Sequence, residues 1–448
     1  VITTSTNWAT ANSQTAKMPI YAFAIAGQAT VYTTHDLLAF GVTGTLPSYQ
    51  AWLKTPQGAS QTIDPVNGRS SIGELTCEVL DVGGAVTAVA GGNTVDGSIV
   101  TLSVGYPGIA WSEFVVLQTY QLYKSVPSPG YTSWIFTSRD KQILTRKTIY
   151  LHPENGALLS GDNPWYLCGT PAEIFQAVAL FGLGLDASVI DRTQCVTLDS
   201  PAEGLYAGVR PFEFAITESF QAQQFLESDV FKPAGMYPVV KNTGQISLRG
   251  PRPPAAGVAG AVVCDFNENN LCTLPVVDRM PVVNEVIFRF DYDGSAYQTE
   301  RYYLEATSLT TFGRGQQWVC ESKGLRTELG GQWFAQWAAT RLFRRFAGTP
   351  TALRGGAPTL QIEAFLMTLP VWAGDYVTVT HSKLPDVTTG AIGVTGRVYE
   401  VIDRSPDYAK GRMTYKLLDT GLTGLPAAYQ WGGTGATRPL VIGTGTIY

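Results

Sequence analysis

Three histidines and six cysteines are the scarcest reactive side chains of this 448-residue chain, and their spacing decides what chemistry is open to it. His381 stands in "WAGDYVTVTHSKLPD" (372–386), just after an alternating run and just before Pro385. His35 is followed by Asp36 in "TTHDLL", the kind of neighbour a general base uses, although a local turn contact explains the pair more simply. His152 in "YLHPEN" has Glu154 nearby. No Ser or Cys nucleophile sits in a recognisable turn, and no GxSxG, HExxH or QAC-type signature occurs. Histidines this scattered do not read as a triad or a metal site.

The best metal suspect is "CDFNENNLC" (264–272), where Asp265, Asn267 and Asn269 imitate the opening of a calcium loop. Its sixth position is Asn270 rather than Gly and its twelfth is Val276 rather than a bidentate Glu, so it reads as a polar hairpin tip. Cys168, Cys195, Cys264 and Cys272 all fall in the middle of the chain and are the candidate ligands of a four-cysteine metal or iron–sulfur site. Their spacings match no standard ligand run, no CxxC pair occurs, and reduced, buried single thiols are the simpler reading. No catalytic residue and no cofactor is expected. Arg341, Arg344 and Arg345 make one helix partly basic; a solvated face or a salt-bridging contact to a neighbouring subunit fits better than a nucleic-acid patch.

The elements that carry these residues are mainly strands. Charged residues are only 15%, while Gly (47), Pro (26) and aromatics are frequent, the usage of β-rich domains joined by many turns. Residues 1–150 run strand after strand, including "LTCEVLDV", "SIVTLSVGY" and "SWIFTSRD", which suggests a sandwich or barrel. Residues 151–280 are mixed α/β. There "GTPAEIFQAVALFGLGL" carries Thr170, Pro171 and Glu173 at the positions of a capping box, and Gly182 and Gly184 stop the helix. A second helix is expected at 218–231, ended by Pro233 and Gly235, and then a hairpin turning at Asn242–Gly244. From 281 to 420 strands return around one amphipathic helix, 332–347, whose apolar face should pack on a sheet. Residues 421–448 read as a C-terminal arm that needs a partner.

The net charge of -5 opposes a general grip on nucleic acid. No secretory signal is visible at the start, and no segment is long and apolar enough to span a membrane. One internal echo is present: "YQLYKSVPSPGYTSWIFTSRD", ending at Asp140, resembles "VYEVIDRSPDYAKGRMTYKLLD", ending at Asp419. A duplication would make two β-domains of one kind flank the α/β middle; two unrelated hairpins of similar pattern are the alternative.

Taken in order, "KMPIYAFAIAG", "SSIGELTCEVLD", "GTPAEIFQAVALFGLGLDASVID", "FEFAITESFQAQQFLESDVFKPAGMYPVVKNTGQISLRGPRPP", "WFAQWAATRLFRRFAGTP" and "GAIGVTGRVYEVIDRSPDYAKGRMTYKLLD" resemble the baseplate hub or central tail-tip proteins of bacteriophages, over roughly residues 1–420. The resemblance implies a mainly β chain with two tail-tube-like β-barrel or sandwich domains flanking an α+β insertion. It further implies a homotrimer whose three subunits present six similar domains and so match a sixfold tail tube to a threefold tip. The implied partners are the distal tail or tail-tube protein, the central fibre or tip protein, the tape-measure protein, and DNA in passage without specific binding. The implied place is the virion, at the tail tip or baseplate, after assembly in the host cytoplasm. A tail-associated hydrolase of cell wall or glycans is the alternative, and it would need paired carboxylates or a Cys and His site in a groove. On the hub reading His381 is an edge or interface residue of the second ring domain.

Overall fold

The computed structural model describes residues 4–13, 18–91, 95–199, 210–250, 262–313, 315–347, 356–386 and 390–422. The "PRPPAAGVAG" stretch and almost all of the expected C-terminal arm lie outside them.

The chain opens with α1 (Thr6–Ser13), β1 (Ile20–Ile25), β2 (Thr30–Thr33), β3 (Ser48–Gln50), β4 (Gln57–Gly58), β5 (Gln61–Asp64), β6 (Arg69–Ser70) and β7 (Glu74–Leu80). Then α2 (Ala85–Ala90) leads to β8 (Ile99–Gly105), β9 (Val115–Pro127) and β10 (Ser133–Arg139). Eight of these strands form one sheet in the order β3-β2-β1-β8-β9-β10-β7-β4. Alternation sets its faces: Val100, Leu102 and Val104 on β8 are buried, while Thr101 and Ser103 stay partly exposed.

The middle holds β11 (Thr148–Ile149), β12 (Trp165–Gly169), α3 (Pro171–Ala177), α4 (Arg192–Asp199), β13 (Phe212–Ile216), β14 (Phe220–Gln221), α5 (Ala222–Phe225), α6 (Lys232–Ala234), β15 (Tyr237–Val240) and β16 (Ile246–Arg249). α3 starts on the expected capping box: the Glu173 N–H donates to Thr170 Oγ1 at 3.1 Å and the Thr170 N–H donates to Glu173 Oε2 at 2.8 Å. It runs on as a wider π turn to Gly182. The helix expected at 218–231 differs in its ends. α5 begins only at Ala222, a π turn spans Leu226–Phe231, and the chain passes Pro233 before stopping at Gly235, whose φ is +62°. After the π turn Pro233 falls in the first turn of α6, where its missing N–H has no partner to lose, and the left-handed glycine ends the helix instead.

Next come β17 (Asp265–Asn267), β18 (Val276–Arg279), β19 (Val283–Tyr292), β20 (Tyr297–Leu304), α7 (Ala306–Phe312), β21 (Gln316–Glu321), α8 (Gly331–Phe346), β22 (Pro358–Phe365), β23 (Tyr376–Pro385), β24 (Ile392–Asp407) and β25 (Arg412–Leu422). A second large sheet runs β17-β23-β24-β25-β22-β18, with β5 joined to β24 off that path. A small sheet, β20-β19-β21, is covered by α8, which buries Phe334, Trp337, Ala338, Leu342 and Phe346 as its spacing predicts.

The fold is mainly β, as expected, but among the described residues neither large sheet closes into a barrel. They are open sheets, and one hydrophobic cluster runs through both, from Phe23 and Phe136 to Val401 and Tyr415. A second cluster holds the middle. Packing crosses residue 280. β17 and β18 hydrogen-bond into the second large sheet, whereas β19, β21 and α8 bury Val286, Phe288, Trp318 and Phe334 in the middle cluster. Strand β19 is buried on both faces over Val283–Phe288, so it needs a cover on each side, and α8 with the middle elements supplies it.

Candidate functional site

The residues singled out for chemistry are spent locally. His35 Nδ1 lies 2.9 Å from Thr34 Oγ1 and its ring packs on Phe40, while Asp36 accepts from the Leu38 and Ala39 N–H groups and from Tyr49, so the neighbours do not pair. Burial holds His35 below the ordinary imidazole range, and it is neutral at pH 7. His152 Nδ1 accepts the Glu154 N–H at 3.2 Å. His381 is buried on β23, its Nδ1 accepts the Lys383 N–H at 3.1 Å, and it pairs across to Val394 of β24.

The "CDFNENNLC" stretch is a turn after β17 whose oxygens are taken: Asp265 Oδ1 accepts from Thr378 and Thr380 at 2.7 and 3.1 Å, and Asn267 Oδ1 accepts the Asn269 N–H. Cys168 is exposed on β12, Cys195 is buried in the middle cluster, and Cys264 packs against the cluster of the large sheets with Cys272 beyond the turn. Cys264 and Cys272 flank one turn, and among the described residues no group of three or more His, Cys, Asp or Glu is placed to hold a metal. Of the three arginines, Arg345 turns inward and pairs with Glu400, which is fully buried on β24. Arg341 lies over Trp337, close enough to Gly235 that a Cβ there would sit 1.4 Å from its Nη1. Arg341 and Arg345 thus lie at an internal joint, while Arg344 is exposed, as a solvated face requires.

What the tertiary structure does bring forward is repetition. β7, β8, β9 and β10 are connected as β22, β23, β24 and β25 are: in each set the last strand pairs with the first, giving the spatial order second, third, fourth, first. Ser133 opposes Leu80 where Arg412 opposes Phe365, and the Asp81 N–H donates to Thr132 O where the Leu366 N–H donates to Gly411 O. Counting from those closing pairs, both third strands bulge after the same rung. Thr137 opposes Lys124 and Ser138 opposes Leu122, skipping Tyr123; Lys416 opposes Asp403 and Leu417 opposes Val401, skipping Ile402. Both second strands then shift register, after Leu102 and after Val379. Even the edge agrees, since Gln57 and Gly58 oppose Thr76 and Leu75 as Val276 and Val277 oppose Gln361 and Leu360. A bulge is a built feature of a sheet, and two in matching places are not what unrelated hairpins share. In this correspondence Asp140 matches Asp419, as the sequence echo has it, and His381 matches the core residue Val104.

The two units meet at a joint that sequence reasoning missed. β5 of the first unit pairs with β24 at Thr62–Asp403 and Gln61–Arg404. Arg404 is fully buried: it donates to the carbonyl oxygens of Val371, Leu369 and Ala59 at 2.9, 3.3 and 3.3 Å and lies 4.1 Å over the Trp372 ring. Thr62 donates to Asp403 at 2.6 Å, and the tip residue Tyr408 packs its ring against Tyr21 of β1 at 5.0 Å. Nothing local distinguishes Arg404 from Arg412, which is exposed on the next strand. A second joint ties the middle to β24: Tyr237 donates to Glu400, which also takes Arg345. Burial, and then the Glu400 charge, keep the Tyr237 phenol well above its ordinary value, so it serves as a neutral donor.

No protein-family model matches the sequence, and no curated protein matches it. Similar solved structures include the tail protein from Neisseria meningitidis MC58, at 12% identity over 92% of this chain and 99% of that one, with a TM-score of 0.49. The 43 kDa tail protein of prophage MuSo2 from Shewanella oneidensis is 12% identical over 90% of this chain and 98% of its own, with a TM-score of 0.46. Prophage tail protein gp18 from Listeria monocytogenes EGD-e is 9% identical over 90% and 94%, with a TM-score of 0.42. These are proteins the chain is similar to over nearly all of its length, at a level of likeness from which no activity follows.

Proposed function

We propose that the chain is a non-catalytic structural component of a phage-type tail, located at the tail tip or baseplate. The observation that carries the reading is the duplicated four-strand unit, repeated down to its bulges within one chain. A homotrimer of such a chain offers six equivalent units to a sixfold tube while keeping threefold symmetry at its other face, which is what an adaptor between the two must do. On this reading the tube or distal tail protein docks on the ring of β-units, and the middle and C-terminal arm meet the tip or central fibre. The passage carries tape-measure protein and DNA, and a net charge of -5 suits a wall that DNA must leave.

The test is mass by light scattering and negative-stain imaging of the full chain, alone and with the neighbouring tail proteins. A ring of three times the 48.3 kDa chain is expected. A stable monomer that ignores those proteins and digests cell wall in a gel assay overturns the reading in favour of a hydrolase.

A further inference from the structure

The end strands of a sheet leave one row of backbone groups over, and proteins keep such ends short to avoid pairing with another strand. In the three larger sheets the ends β3, β4, β17, β18 and β21 have three, two, three, four and six residues. β20 has eight, and among the described residues it pairs with β19 alone. Its register decides which groups are left over. The Glu305 N–H donates to Asn284 O, so by antiparallel alternation Tyr303, Arg301 and Thr299 turn their backbone groups to β19. Leu304, Tyr302, Glu300 and Gln298 turn theirs outward, and all four residues are exposed. The register runs without a shift and β20 contains no proline, so nothing interrupts this edge. Apolar surface reaches it as well: Tyr302 and Leu304 are 46% and 49% exposed, and Tyr302 stands in one row with Ile287 and Val319.

The chain itself offers an occupant. Residues 423–448 lie outside the described structure and carry a single charge, Arg438; their stretch "PLVIGTGTIY" (439–448) is rich in Val, Ile, Thr and Tyr, which suit a pleated strand. The segment also starts in the right place. Leu418 of β25 is buried in the middle cluster with Val286 and Phe288 of β19, so β25 ends near the sheet that β20 closes. At about 3.3 Å per extended residue, residues 423–438 reach about 50 Å, more than the ~30 Å across a small domain. We propose that residues 439–448 add a strand to the outer edge of β20. The backbone groups of Gln298, Glu300, Tyr302 and Leu304 pair with it, and its Val and Ile side chains cover Tyr302 and Leu304. So covered, the edge is closed to other strands until a partner displaces the segment. The contact lies on the middle region and does not depend on the tail reading.

The experiment is amide hydrogen exchange on the full chain, read residue by residue along β20, in the wild type and in the double variant Val441→Pro/Ile442→Pro. Two adjacent prolines remove a donor whichever way the strand faces. In the wild type the Gln298, Glu300, Tyr302 and Leu304 amides should exchange about 100-fold more slowly than exposed amides, and the double variant should abolish that protection. The Thr299, Arg301 and Tyr303 amides, bonded to β19, should stay protected in both and so report that the sheet is folded. Fast exchange of the four outward amides in the wild type would mean that the edge is bare and would overturn the proposal. Slow exchange that survives the prolines would give the edge another occupant and overturn it equally. Neither result touches the tail reading, which stands on mass and partners.

Discussion

The two β-units share strand order, register and bulges, yet they use matching positions for opposite purposes. At the second rung after the bulge, the first unit has Ser125 donating to Asp96, a local contact; the second has Arg404, reaching three carbonyls, one of them Ala59 O of the first unit. Gln121 donates to a loop carbonyl near the surface, whereas its counterpart Glu400 is fully buried between Tyr237 and Arg345. Asp140 and Asp419 end equivalent strands, but Asp140 accepts the Gly73 and Gln142 N–H groups while Asp419 faces Arg397 at 2.7 Å. A duplicated scaffold keeps its backbone pattern because strand pairing depends on register. Its side chains are free to diverge once one copy lies inside the molecule and the other at its surface.

That contrast can be broken most forcefully at Glu400. Glu400→Ala leaves Arg345 buried without its carboxylate and should cost about 3–5 kcal/mol in chemical denaturation. Gln121→Ala, at the matching place, should stay within about 0.5 kcal/mol. Equal losses at both sites would mean that the joint carries no special weight.

The tips come next. Tyr408→Ala removes a buried ring from its contact with Tyr21 and should cost about 3 kcal/mol, whereas Tyr131→Ala removes an exposed ring and should leave the single chain's stability unchanged to within about 0.5 kcal/mol. A large loss from Tyr131→Ala in the isolated chain would contradict its exposure.

The two units differ in pH dependence as well. Burial pushes the Asp140 carboxyl up to about 7, against its two backbone donors and the more distant Arg146. Its folded value lies above the unfolded value of about 4, so the folded state binds the extra proton. Stability from this group is then complete below the unfolded value and is lost as pH rises through the folded one, with a slope of up to about 1.4 kcal/mol per pH unit between them. Asp140→Asn should flatten that fall, measured by urea denaturation at several pH values. Asp419→Asn breaks an ion pair instead and should lower stability at neutral pH.

Much of the architecture was legible in the chain itself. Alternation in "IVTLSVGY", the Thr170–Glu173 capping box, the spacing along α8 and the paired endings at Asp140 and Asp419 all act over a few residues, where backbone geometry leaves few choices. Each of the three histidines makes a hydrogen bond within two residues of itself.

What only the tertiary structure decided was which side of each element would meet another. The placement of β19–β21 and α8 on the middle cluster, the burial of Arg345 and Arg404, and the inward turn of Tyr408 all depend on contacts between segments tens to hundreds of residues apart. An arginine on a strand or helix carries no mark of its fate in its neighbours. Whether it faces water or a ring of carbonyls is settled by what packs against it, and desolvation makes that choice worth several kcal/mol in either direction. The sequence determined two copies of a β-unit and the helices between them; the packing made one copy's hairpin end an internal joint and left the other's exposed.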